Sequence, residues 1–227
     1  VESGADITML YHAVDNAKDS YLNCKVLNLN KQKGVLSLEP NHGNAKNRNI
    51  FMDTYVMKTE LFIDLVYKAR ELSSMFTLAD MVNEVCGELD VRGVAHRGFF
   101  ASITDFKSYY DANMSLIDYK SAQNLFHEDW PIYTRTNDSC PTHYYDTAEV
   151  RNSIISNGCM IEGTIENSII GRGCVIKKGA VIRNSIVLGG CVIGENVHVE
   201  NHVVDKQAKI IRAKEVVAPD GNPGYVK

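Results

Sequence analysis

NSIIGRGCVIKKGAVIRNSIVLGGCVIGENVHVENHVV, residues 167–204, decides the fold of the second half of this chain. It opens with NSII at 167, returns to NSIV at 184 and ends on NHVV at 201, and an earlier NSII stands at 152, so the unit recurs at spacings of 15, 17 and 17. The same intervals separate Cys159, Cys174, Cys191 and Ala208, then Ile161, Ile176, Ile193 and Ile210, then Ile155, Ile170, Val187 and Val204. A further column links Ile182 to Val199, preceded by Ala180 and Val197. Aliphatic residues thus arrive every five or six positions, three to a repeat. That rhythm predicts a three-sided solenoid of short parallel strands, each coil about 4.8 Å above the last. Asn152, Asn167, Asn184 and Asn201 fall at one corner, where their tolerance of left-handed backbone is useful.

Working outward, the aromatic residues mark where this grammar begins. Eighteen of the nineteen Phe, Tyr and Trp residues lie at or before Tyr145, and only Tyr225 lies beyond it. Large rings fill an irregular core but find no room in a narrow regular one. Residues 1–127 are therefore expected to form an α/β domain, 128–146 a linker, and 147–227 the coil domain with a C-terminal tail. The stacked Cys159, Cys174 and Cys191 read as small core thiols in preference to disulfide partners. No CxxC or zinc-spaced His/Cys cluster occurs among the six cysteines, so no metal site is expected, and free thiols point to a reducing, cytoplasmic setting. His198 and His202 resemble candidate acyltransferase bases, but the preferred reading is exposed residues on a solenoid face. GRG at 171–173 and GG at 189–190 read as corners rather than phosphate loops.

The first half mixes strands and helices. DITMLY, KVLNLN, GVLSLEP and IFMDTYVM read as strands, with the polar loop NHGNAKNRN before the last. TELFIDLVYKAREL predicts an amphipathic helix capped by Thr59, with Leu61, Phe62, Leu65, Val66, Ala69 and Leu72 inward. TLADMVNEVCGEL predicts a second, capped by Thr77 with Asp80 in its first turn. VRGVAHRGFF is a short strand running into a tight aromatic turn, and a third helix follows from about Asp105. The net charge of −4 without a basic run excludes an electrostatic footprint for nucleic acid or an anionic membrane. The chain starts at Val1 with a segment that reads as an interior strand, so a fragment lacking a preceding part is expected.

The strings FMDTYVM, GFFASITDFKSYYDANMSLID and DWPIYT, followed in order by NSIISNGCMIEGTIENSIIGRGCVI, resemble the bacterial glucose-1-phosphate adenylyltransferase (ADP-glucose pyrophosphorylase) family. The likeness is nearer to its non-catalytic second subunit from Gram-positive glycogen operons than to the catalytic one. It covers almost the whole chain. It implies the C-terminal part of a Rossmann-like nucleotidyltransferase domain followed by a left-handed parallel β-helix of hexapeptide repeats. It also implies a role in joining ATP and glucose 1-phosphate to give ADP-glucose and pyrophosphate for glycogen synthesis. Its glycine-rich nucleotide loop would lie upstream of the residues given.

The departures from the family pattern fall where anions and Mg²⁺ would bind. Where the catalytic family writes G-Y-W-R-D-V-G-T, this chain reads Gly98-Phe99-Phe100-Ala101-Ser102-Ile103-Thr104-Asp105, so Ser102 stands at the metal-binding Asp. The sugar-phosphate Lys of E-K-P is met by Glu39, and in S-M-G-x-Y-V-F the glucose-binding Ser is met by Phe51 and the Gly by Asp53. The expectation is a degenerate site at Glu39, Phe51, Asp53 and Ser102 with no catalytic or metal-binding residue. Mg²⁺ would belong to a catalytic homologue, with which this chain would form a hetero-oligomer, a heterotetramer, as a regulatory subunit open to sugar-phosphate or nucleotide effectors. Two alternatives stand beside this one. One is an active nucleotidyltransferase in which Asp53, Glu39 or Asp105 compensates. The other is an acyltransferase that requires His198 or His202.

Overall fold

The computed structural model describes residues 4–126, 129, 131–133 and 137–227. They fall into two compact units, Val1–Ser102 and Ile103–Lys227. The expected linker at 128–146 lies partly outside the described residues. The units divide earlier than that linker, because the helices after residue 102 group with the coil. Its C-terminal end is already coil, since His143–Tyr144 is a strand of the first turn.

The first unit is a mixed sheet of β1 (Ile7–Val14), β2 (Lys25–Leu29), β3 (Val35–Pro40), β4 (Arg48–Met57) and β5 (Val91–Ala95), with α1 (Thr59–Leu72) and α2 (Leu78–Val85) between β4 and β5. The order across the sheet is β3-β2-β4-β1-β5. All neighbours are antiparallel except β1 and β5, whose joining segment carries both helices. Gly34 bridges Arg92, and the Gly93 N–H donates to the Lys33 carbonyl at 2.8 Å, which ties the two edge strands together at one end. Alternation along β1 places Ile7, Met9 and Tyr11 in the core beside Leu27, Val35, Phe51 and Val91.

The helices divide over their caps. Thr77 caps α2 as expected: its hydroxyl accepts from the Asp80 N–H, and the Asp80 carboxylate accepts from the Thr77 N–H at 2.9 Å. α1 differs. Lys58, not Thr59, occupies its cap position and supplies no side-chain bond. Only Leu65 and Ala69 of its expected stripe are buried, while Phe62, Val66 and Leu72 are exposed.

The second unit begins with α3 (Phe106–Ser115), capped by Asp105, and α4 (Tyr119–Leu125), capped by Asp118. Fifteen short strands then build three five-stranded parallel sheets, one for each side of a left-handed β-helix. The predicted columns are the observed ones. Ile155, Ile170, Val187 and Val204 pair in register, as do Ile161, Ile176, Ile193 and Ile210. The third column runs Val150, Ile165, Ile182, Val199 and Val216, so the C-terminal tail is itself a coil. The four corner asparagines take φ between 42 and 56, in the left-handed region.

A polar ladder runs beside the apolar columns. Ser153, Ser168 and Ser185 each donate through Oγ to the carbonyl two residues back, at 2.6–2.7 Å. Each then accepts the N–H of the next member at 3.1 Å. His202 is the fourth member, with Nδ1 2.7 Å from the Glu200 carbonyl. It is 8% exposed, which corrects the expectation of an exposed histidine. A Cβ on Gly224, in the coil that follows, would meet its Nε2 at 2.2 Å, so only glycine fits above the ring. The column cysteines are free and donate to corner carbonyls of the following coil: Cys159 to Gly171, Cys174 to Leu188, Cys191 to Asp205. α3 packs within this unit, where the Tyr110 hydroxyl donates to the Asn184 carbonyl and Phe106 meets Tyr225 edge-on at 6.0 Å.

Ile182→Ala is expected to destabilise the coil unit by about 2–5 kcal/mol, because the narrow interior cannot collapse around the void. Urea unfolding with a probe in that unit measures it, and a loss below about 1 kcal/mol contradicts the column. Thr77→Ala is expected to cost about 1 kcal/mol and Thr59→Ala under about 0.5 kcal/mol by the same measurement, since only Thr77 holds a cap bond.

Candidate functional site

The carboxyl ends of two adjacent parallel strands are where α/β sheets usually place ligands. In the first unit those strands are β1 and β5, which end near His12 and His96. The chain leaves β5 through the turn Gly98–Ala101 to Ser102. Gly98 has φ 131. Phe100 folds back so that its ring stacks on His12 at 4.7 Å and 18°, and it leans on Tyr21 at 5.7 Å. Ser102 Oγ lies 3.3 Å from Cys24 Sγ, and the two rings of His12 and His96 meet through Nδ1 at 3.3 Å. Burial first, then Cys24, raises Tyr21 above the ordinary phenol range.

The other expected site residues lie elsewhere in the same unit. Phe51 is a core residue, 5% exposed and edge-on to Tyr55 at 5.0 Å. Asp53 sits on a bulge of β4, where Met52–Thr54 stand opposite Leu10 alone, and its backbone takes φ 49. An aspartate adopts that left-handed conformation more readily than most residues, so the bulge survives at the position where the resemblance has glycine. Its carboxylate and that of Asp80 contribute, after burial, to holding Tyr55 well above the ordinary phenol range. Glu39 is exposed at the end of β3 and pairs with Arg48 at 3.4 Å. Among the described residues no hydrogen bond or ion pair joins Glu39, Phe51, Asp53 and Ser102 to one another.

Asp105, in the second unit, is engaged at the start of α3. Its carboxylate accepts the Ser108 N–H at 2.7 Å, and that bond is the first cause of its lowered pKa. His198 is half-buried and pairs with Glu200 at 3.0 Å, while His202 belongs to the serine ladder.

The donor set around Ser102 suits Mg²⁺ poorly. Magnesium is held by carboxylate oxygens and water, whereas a neutral hydroxyl and a thiol meet here. Among the described residues no three His, Cys, Asp or Glu side chains gather as a metal cage. Sequence reasoning did not find His12, His96, Tyr21, Cys24 or Arg48. The two histidines are 84 residues apart, and only the parallel pairing of β1 with β5 makes them neighbours.

The fold defines a class: an α/β unit followed by a hexapeptide-repeat left-handed β-helix. The family model described as GlmU-like, C-terminal hexapeptide matches residues 141–220. The chain is 35% identical over 172 residues to the glycogen biosynthesis protein GlgD of Bacillus subtilis, covering 76% of this chain and 50% of that protein. It is 33% identical over 137 residues to GlgD of Geobacillus stearothermophilus, covering 60% and 40%. It is 28% identical over 148 residues to the glucose-1-phosphate adenylyltransferase of Streptomyces coelicolor, covering 58% and 37%. The chain is thus similar to the GlgD proteins and the glucose-1-phosphate adenylyltransferases, and it spans about half the length, or less, of these curated proteins. No helix among the described residues is long and apolar enough to cross a membrane.

Phe51→Ala is expected to cost about 3–5 kcal/mol in urea unfolding, as a core truncation does. A cost under about 1 kcal/mol would mark Phe51 as a surface residue of a binding cleft instead.

Proposed function

We propose that this chain is part of a GlgD-like subunit of the glycogen-forming glucose-1-phosphate adenylyltransferase system, non-catalytic by itself and acting on a catalytic homologue. The observation that carries the reading is Ser102. It stands where the resemblance has the metal-binding aspartate, and its hydroxyl meets a thiol rather than a carboxylate. Transfer between two anions depends on a metal and on cations that absorb developing charge. Loss of one such group removes several kcal/mol of transition-state stabilisation, about 3–4 kcal/mol for a single donor. Glu39 adds to the deficit, because its acid faces Arg48 at a position where the resemblance has a phosphate-binding lysine. Phe51 contributes bulk to the core and no hydroxyl to a sugar.

Compensation by Asp105 is disfavoured by its engagement as a helix cap. The GlgD names among the relatives support the glycogen setting, and the long coil with its exposed strand edges offers surface for assembly. A heterotetramer with the catalytic homologue, Mg²⁺ held by that partner, and binding of sugar-phosphate or nucleotide effectors complete the proposal.

The test is kinetic. The full-length protein is assayed for pyrophosphate release from ATP and glucose 1-phosphate, alone and mixed with the catalytic homologue. No turnover alone, with a raised rate or altered effector response in the mixture, is the expected result. Robust Mg²⁺-dependent turnover by the lone protein overturns it.

A further inference from the structure

The contact between His12 and His96 is more specific than two nearby rings. His12 stands near the end of β1 and His96 directly follows β5, and the His96 N–H donates to the Tyr11 carbonyl at 2.7 Å. The Nδ1 atoms are 3.3 Å apart, and the ring centroids are 5.6 Å apart. That centroid distance is close to the longest a 3.3 Å contact between ring nitrogens allows. The two nitrogens therefore point straight at each other. Two ligands of one metal would instead converge on a third point to the side, so the pair is shaped for a shared proton.

Counting protons on this geometry gives an asymmetric device. A neutral imidazole carries one N–H, on either nitrogen, and an imidazolium carries two. In the neutral pair one ring donates from Nδ1 and the other presents a bare Nδ1. The first added proton goes to the bare Nε2 of the donor ring and leaves the shared proton in place. The acceptor ring already carries its proton on Nε2, so a second added proton can go only to its Nδ1, facing the N–H already there. The pair thus holds with no charge or one charge and separates with two.

We propose that His12 and His96 form a proton-limited latch that seats the turn Gly98–Ser102 and releases it when both rings become charged. The turn is coupled to the latch because the Phe100 ring lies flat on His12, and Ser102 follows two residues later. The groups facing the pair are known from each packed element. His96 comes from the end of β5 and Phe100 from the turn, Ile50 of β4 pairs opposite His12, and Tyr21 of the loop after β1 reaches the pair through Phe100, with Cys24 beside Tyr21 and Ser102. Among the described residues no carboxylate lies within ion-pair distance of either ring, so nothing nearby offsets a second charge. Burial first, then the charge of His96, holds His12 below the ordinary histidine range. A group whose folded value is lowered binds protons more readily when unfolded. The stability it lends is therefore present above about pH 6.5 and is lost as pH falls from there through the lowered value. This latch operates whether or not the chain catalyses anything.

Nitrogen and carbon NMR of the histidine rings in the full chain tests it. At pH 7.5 one ring should show a protonated Nδ1 and the other a bare one. On acidification the His12 ring should titrate below about 6.5, and the Phe100–Ser102 amides should shift with the same midpoint. His96→Gln should raise the His12 midpoint toward about 6.5. Phe100→Leu should leave the low midpoint but uncouple the Ser102 amide from it, a readout that stands even where His96→Gln fails to fold. Two Nε2–H rings at neutral pH, an unchanged His12 midpoint in His96→Gln, or turn amides indifferent to the titration would each overturn the latch.

Discussion

The coil unit rests on one constraint: each side of a turn offers the interior only an aliphatic position and a small one two residues before it, and the same positions recur about 4.8 Å above. A residue there must match its neighbours above and below as well as its own corner. Ile165, Ile182 and Val199 satisfy that by stacking like on like, and so do Cys159, Cys174 and Cys191 with their thiols turned to the next corner's carbonyl. No aromatic ring is buried in the columns, and the coil's Tyr144 and Tyr225 are exposed. The corners carry a second constraint, since a chain that turns every few residues must place some backbone in the left-handed region. Asparagine does this at 152, 167, 184 and 201, and the residue after it then supplies the ladder bond.

The last step of that ladder shows how far the rule bends. His202 replaces serine with a ring several times larger, and its Nδ1 still reaches the carbonyl two residues back. The volume is accommodated by Gly224 in the following coil, where a single added carbon would collide with Nε2. A substitution on one coil is thus matched by a deletion on the next. The tail is a continuation of the stack, because β-pairing through Val216 and Val226 repeats the registers below it.

Legibility in the sequence followed from periodicity. The coil could be read because the same spacings of 15, 17 and 17 residues recur, and each column is an independent witness to them. The cap of α2 could be read because Thr77 and Asp80 are three residues apart and bond each other. α1 could not, because Thr59 and Lys58 are adjacent and nothing local decides between them. Its stripe was also over-assigned: Phe62 and Val66 lie beside Leu65 in a pattern that allows two apolar faces, and only tertiary packing selects one. The contacts around the candidate site were not legible. Glu39, Phe51, Asp53 and Ser102 could be found as departures from a family pattern. Arg48 beside Glu39, Cys24 beside Ser102, and His96 beside His12 are products of strand pairing, which no spacing rule reveals.

Those unforeseen contacts bear on how the turn at Ser102 keeps its shape. Here the loop is fixed by groups that need no metal. Phe100 stacks on an imidazole, that imidazole meets a second one, and the Ser102 hydroxyl meets a thiol. Each contact ties the turn to β1, β5 or the loop after β1. Asp53 acts likewise at the bulge of β4, holding a left-handed backbone that a glycine would otherwise supply. The shape of the turn in this fold is therefore maintained by packing and by the contact between the two imidazoles, with no carboxylate at Ser102.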